Sequence, residues 1–211
     1  MARVSQEHLD ARRRQILDGA ARCFARNGFH ATSMQDVLGE CGLSAGAVYR
    51  YFAGKDELIA AIAEECFGAV RSAFAEAAAA VPPPTPDVLL AEVLLQVLDR
   101  VPLDGDRSAS ARLIIQVWTE TLRNAALAGA LEGGFAALRR IWADLVESYR
   151  AAGLMPEGPA ADHIARTLIA TAQGFIAQQA LFGEVEVAVV RDGLRGLMSM
   201  TVPAEAGPAG G

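Results

Sequence analysis

A chain of 211 residues, 52% of them hydrophobic and with positive mean hydropathy, carries enough apolar material for a core, which excludes disorder as a whole-chain reading. The net charge of −6 argues against non-specific coating of nucleic acid, but it is unevenly spread: residues 1–55 carry +3 and residues 56–211 carry −9. A basic head on an acidic body suits a protein that touches phosphates with one end.

Alanine and leucine supply much of the hydrophobicity, which favours helix. The three cysteines, Cys23, Cys41 and Cys66, are odd in number and fit no zinc spacing. No apolar leader opens the chain, and no uncharged apolar run reaches the about 18 residues a membrane span requires. The expectation is a cytoplasmic protein in a reducing compartment, with no membrane association and its cysteines buried as small hydrophobes.

In chain order, residues 1–9 read as frayed. A first helix is expected from Asp10 to Asn27, with Ile16, Leu17, Ala20, Ala21 and Phe24 as its apolar stripe and Asn27-Gly28 as its stop. Arg12, Arg13 and Arg14 in its first turns are either a solvated face or phosphate contacts. A second helix follows Thr32-Ser33. Ser33 with Asp36 resembles a capping box, Met34, Val37, Leu38 and Cys41 form the stripe, and Gly42 ends it. Ser44 caps a third helix, Ala45 to Phe52, which has small residues in its first turn and aromatics in its second. Gly54 breaks it, and a long helix runs from Lys55 to Ala80. The prolines of residues 81–86 force a corner. Further helices are expected over Asp87–Val101, Ala109–Asn124, Ala125–Ala152 (with a bend near Gly133-Gly134), Ala160–Phe182 and Val185–Met200. Residues 203–211 read as a disordered tail. The reading is an all-α chain of about nine helices, with no strand and no internal repeat. Residues 10–56 form a head and residues 57–202 a body.

Two short helices joined through Gly42 have the spacing of a helix-turn-helix, whose second helix enters the major groove by its N-terminal end. Ala45, Gly46 and Ala47 are small enough to bring that end close to bases or phosphates, and its free N–H groups favour an anion. Arg50 can bridge guanine or a phosphate, and the hydroxyls of Tyr49 and Tyr51 can donate to phosphates. Lys55, the single lysine of the chain, opens the fourth helix, where the dipole disfavours a cation unless a phosphate sits there.

Over roughly residues 12–70, these stretches resemble the TetR family of transcriptional repressors. ILDGAARCFARNGF and then TSMQDVLGECGLSAGAVYRYFAGKDEL carry the likeness, with Gly42, Ser44, Gly46, Tyr49, Tyr51, Phe52, Lys55, Glu57 and Leu58 in register. Ala47 stands where the family often has a hydroxyl residue, and Gly54 replaces the usual serine cap. The resemblance implies double-stranded operator DNA as a partner. Its DNA-facing candidates are Ser33, Gln35, Ser44, Ala45, Gly46, Ala47, Tyr49, Arg50, Tyr51 and Lys55. The Tyr49 ring is expected to pack partly between helices, while Val37, Leu38, Val48 and Phe52 are read as core.

The resemblance weakens after residue 75, where it implies a helical body with an apolar effector cavity and a two-helix homodimer face. Phe67, Trp118, Phe135, Trp142, Gln173 and Phe175 are the pocket candidates, each aromatic having plain core packing as its alternative. The eighth and ninth helices are the dimer candidates. Gly174, Ala177, Gly193 and Gly196 would allow close approach, and Ile169, Ile176, Leu194, Leu197 and Met198 would fill the space between. A two-fold axis would set two reading helices about 34–36 Å apart, one turn of DNA. His163 has no partner at metal spacing and reads as a surface residue.

The expected mechanism is repression relieved by a small, largely apolar effector whose binding swings the fourth helix. Coupling of roughly 1–3 kcal/mol would weaken DNA binding 5–150-fold. An enzyme is disfavoured, because there is no glycine-rich phosphate loop, no paired metal ligands and no nucleophile–base setting; no cofactor is called for. A helical scaffold that binds a partner, and a cysteine-based redox regulator, are the remaining alternatives.

Overall fold

The computed structural model describes residues 6–80, 83–100, 103, 105–183 and 185–200, the side chains of 77–79 excepted. Every regular element among the described residues is an α-helix: α1 Gln6–Asn27, α2 Met34–Cys41, α3 Ala45–Tyr49, α4 Lys55–Ala79, α5 Pro86–Arg100, α6 Arg107–Glu120, α7 Ala125–Ala151, α8 Ala161–Phe182 and α9 Ala188–Met198. The tail beyond residue 200, the first residues of the chain and part of the proline corner lie outside the described residues.

The helix ends follow from local chemistry. α1 starts four residues earlier than its periodicity suggests. Glu7 lies in the first turn, where the dipole favours an acid, and Gln6 Nε2 donates to Asp10 Oδ1 one turn on (3.0 Å). The Ser33–Asp36 capping box forms: Asp36 N–H donates to Ser33 Oγ (3.2 Å) and Ser33 N–H to Asp36 Oδ2 (2.7 Å). Gly42 ends α2 at φ 64°, a left-handed conformation that a side chain would strain. α3 stops at Tyr49, short of Phe52. The chain tightens there, with Tyr51 N–H donating to Val48 O (2.9 Å), and this drops Phe52 into the core. α6 runs earlier than expected because Asp106 caps it through Ala109 N–H (2.8 Å), and Asn124 caps α7 instead of continuing α6 (3.0 Å). α7 passes through Gly133-Gly134 unbroken. α9 is shorter at both ends than the pattern suggests.

One core cluster joins head to body. Ile16, Ala20 and Phe24 of α1 meet Val37, Val48, Phe52 and Leu58, then continue into Leu113, Val117, Leu127 and Leu131 of α6 and α7. A second holds α5, α6 and α8 around Leu89, Leu94, Ala111 and Trp142, and Trp118 touches both. α9 buries no residue of its own. It is held to α5 by Arg195, which donates to Asp87 Oδ2 (3.0 Å), a carboxylate only 2% exposed. The α8–α9 connection is fixed by Val185 N–H donating to Gln179 Oε1 (2.8 Å).

Candidate DNA interface and effector cavity

The head is rigidified by contacts that periodicity does not reveal. Glu40 of α2 accepts from Arg22 Nε (2.7 Å) and also pairs with Arg26, so one carboxylate clamps α2 across two turns of α1. Hydrogen bonds from Arg22 and then Arg26 hold its carboxyl below the usual glutamate range. Gly19 lets the same helices close up, since a Cβ there would lie 2.4 Å from Cys41 Sγ. Arg13, one of the three arginines of uncertain role, pairs with Glu65 of α4 (3.5 Å) and lies over the Phe52 ring. It braces the head against the body.

This frame leaves one polar face uncovered. Ser33, Gln35, Ser44, Ala45, Gly46, Tyr49 and Arg50 are all exposed, and Ala47 is half-buried. Ser44 makes no side-chain cap bond, so its hydroxyl stays available. The guanidinium of Arg50 meets no side-chain partner among the described residues. Of the two tyrosines, Tyr49 is the more open, 48% exposed, whereas Tyr51 is half-buried and packs partly against the core. Tyr49 closes α3 on its outer side, and the tight turn after it rotates Tyr51 inward.

Lys55 is occupied on its inner side. Its ammonium donates to Phe29 O (2.6 Å) and Thr32 O (3.3 Å), in the connection between α1 and α2. An ammonium has three donors, so one remains for a phosphate. Glu57, in the first turn of α4, reaches back past Gly54 to accept from Ala53 N–H (2.7 Å), tying the entering chain to the helix start.

In the body, an apolar cavity of about 100 Å³ lies between α4, α5, α6, α7 and α8. Phe67, Trp118, Phe135, Trp142 and Gln173 all line it, as the sequence suggests. Phe175 does not: it is buried in the core alongside Ile176 and Val187. Positions 173 and 175 lie about 200° apart around a helix, so both cannot face one cavity. Ile169 and Ile176, expected at the dimer face, share the inward face with Gln173 and line the cavity. Gly174, Gly193, Gly196, Leu197 and Met198 are exposed, while Ala177 and Leu194 are half-buried. Phe67 reaches the wall only because Gly134 has no side chain; a Cβ there would meet its ring at 2.6 Å. Phe135 stands edge-on to Phe67, their ring centres 5.5 Å apart. The aliphatic walls from α4, α5 and α6, such as Ile62, Val93 and Ile114, escaped sequence reading because they look like any core stripe.

Burial pushes the Cys41 thiol up to about 11 and the Cys66 thiol up to about 12, so neither is a thiolate at neutral pH. No group of three or more metal-ligating side chains comes together among the described residues. None of the described helices is long and apolar enough to cross a membrane.

Residues 16–62 match the sequence profile of the bacterial regulatory proteins of the TetR family, and residues 86–199 match that of the BetI-type transcriptional repressor C-terminal domain. The chain belongs to the TetR family. That family is one of bacterial regulatory proteins, and its profile falls on the helix-turn-helix of α2 and α3. The HTH-type transcriptional repressor Rv1474c of Mycobacterium tuberculosis is 48% identical over 65 residues, 31% of this chain and 35% of that protein. The chain thus spans about a third of the length of that curated relative. Salmonella enterica GusR shares the fold over 94% of this chain and 100% of its own, with 26% identity and a TM-score of 0.71. A Bacillus subtilis transcriptional regulator, FadR in complex with stearoyl-CoA, shares the fold over 90% of this chain and 99% of its own, at 19% identity and a TM-score of 0.71.

Proposed function

We propose that this TetR-family regulator is a homodimeric repressor, released from its operator by a small, largely apolar effector bound in the α4–α8 cavity. The observation that carries the reading is the course of α4. Its first residue, Lys55, is bonded to the connection ahead of α2, and two to three turns later Ile62, Cys66 and Phe67 form the cavity wall. Displacement of that wall moves the start of the same rigid helix. A volume of about 100 Å³ is below the 300–1,000 Å³ of typical ligand pockets, so an effector has to push the walls apart. A ligand that favours the pushed-apart form shifts the head with it.

Ser33, Gln35, Ser44, Ala45, Gly46, Ala47, Tyr49, Arg50 and the third donor of Lys55 make up the DNA face in this reading, with Arg50 as base reader and Tyr51 as support. The dimer face is α8 with α9. Leu181, Phe182, Val189, Leu197 and Met198 are between half and four-fifths exposed, an apolar area that a second copy would cover. The regulator acts in the cytoplasm and has no catalytic role. The deciding experiment selects bound sequences from a random DNA pool, then screens effectors on the winning site. Enrichment of a two-fold symmetric site, lost when a ligand fills the cavity, supports the proposal. A scaffold without DNA affinity would enrich nothing.

A further inference from the structure

The cavity does not end at its aromatic wall. Phe135, Ile169 and Gln173 also line an outer groove of about 460 Å³ between α7 and α8, together with Arg139, Arg166 and Glu132. The two arginines come from facing helices and share one carboxylate. Arg139 Nε lies 3.0 Å from Asp162 Oδ1, and Arg166 Nε donates to Asp162 Oδ2 (2.8 Å). Each is held through Nε, and the terminal amino groups of both make no hydrogen bond among the described residues. The Gln173 amide is likewise unbonded at the seam between groove and cavity. Asp162 fixes the two guanidiniums side by side, and hydrogen bonding from Arg166 keeps its carboxyl below the usual range, so the pairing persists at neutral pH. Glu132 is exposed on the rim and is the one carboxylate that lines the groove.

The groove carries two forked cations, the apolar cavity carries Gln173 as the one side-chain amide of its lining, and Phe135 stands on the wall common to both. Phe135 packs edge-on to Phe67 and tilted to Trp118, and its ring makes no hydrogen bond that a movement would have to break. Planar forked donors suit a carboxylate or a phosphate. We infer that the effector is an amphipathic anion, an acyl chain with a carboxylate or phosphate end, whose head rests on Arg139 and Arg166 and whose chain passes Phe135 into the cavity. The inference rests on the effector-controlled reading above.

The test uses the full chain and its own reporters, because both tryptophans, Trp118 and Trp142, line the cavity. Fluorescence titrations below micelle concentrations compare dodecanoate, dodecanoyl-coenzyme A, dodecanol and dodecyltrimethylammonium. The expected result is a saturable change with one or both anions, and binding at least about 10-fold weaker for the alcohol and the cation, in keeping with charge-assisted hydrogen bonds. Preference for dodecanoate or for its coenzyme A ester tells a free carboxylate from a phosphate-bearing head. In Arg139→Gln/Arg166→Gln the anion preference should vanish while dodecanol binding stays unchanged; Arg139→Lys, which keeps the charge, should retain part of it if the double variant folds poorly. Equal affinity for alcohol and anion, or no binding of any of the four, overturns the inference. Operator binding is measured in parallel. Charge-selective binding that leaves the operator complex intact would uphold this site and sink the effector reading instead.

Discussion

Gly19 and Cys41 meet where α1 and α2 approach most closely, and a single methyl there tests the head's packing. Gly19→Ala should lower stability by about 1–3 kcal/mol through overpacking, because its Cβ would lie 2.4 Å from the sulfur. The backbone of Cys41 is 3.5 Å away, at ordinary contact, so the double variant Gly19→Ala/Cys41→Ala should be less destabilised than the sum of the two singles. Thermal unfolding of the four proteins gives the coupling, and strict additivity would remove the contact from the account. Glu40 tests electrostatics at the same scale. Its folded pKa lies below the ordinary 4.5, so its contribution is complete above that value and is lost as the pH falls through the folded pKa. Melting temperature should therefore drop on acidification below about pH 4.5, and Glu40→Gln should flatten that part of the profile. Arg50, unpartnered and exposed, should be dispensable for folding. Arg50→Ala should weaken operator binding by about 1–3 kcal/mol and relax preference at one base position. A unchanged site profile in the selection experiment would restrict it to phosphate contact.

α4 is the element on which head and body both depend, and Lys55 is its fastening. Lys55→Met strips the hydrogen bonds from Phe29 O and Thr32 O, at a cost of about 1–3 kcal/mol if those carbonyls stay dry. Amide exchange over residues 28–33 should quicken with little change in α8. If the third donor also meets a phosphate, the same variant should reduce the salt slope of DNA binding by about one ion; an unaltered slope would make Lys55 purely structural. The helical content was legible because long amphipathic stripes with glycine or proline ends determine helices almost unaided, and the capping box at Ser33 set one boundary to the residue. The interior of the body was less legible. Phe175 and Gln173 stand two positions apart on one apolar helix, and only the rotation of α8 against its neighbours decides which of them faces the cavity. The Glu40 clamp and the Asp162 pairing join residues 14 to 23 positions apart on different helices, which no local spacing encodes.

At the scale of the whole molecule, most of the exposed large apolar side chains among the described residues belong to the end of α8, to α9 and to Met200 just beyond it, Leu122, Leu154 and Tyr49 lying elsewhere. Phe182 is 78% exposed, Leu181 72%, Leu197 66% and Met198 50%, all at the end of α8 or on α9. α9 holds its place through the Arg195–Asp87 pair and the half-buried Val190 and Leu194, with no fully buried side chain of its own. Val190 and Leu194 give α9 a half-buried inner face, and its outer face carries Val189, Leu197 and Met198 into water. Docking a second copy about a two-fold axis would bury this patch and repeat the reading face at a fixed distance. Phe182→Glu and Leu197→Glu should each place a charge in that contact while leaving the protomer folded, since both side chains already lie in water. Sedimentation at micromolar concentration should show the parent as a dimer and the double variant as a monomer with unchanged helical content. Operator affinity should fall much further than in Arg50→Ala, because a monomer reads one half-site and loses the tethered second contact. A double variant that remains dimeric would move the interface off α8 and α9. A monomer that still binds the full site with parental affinity would detach DNA reading from dimerisation altogether.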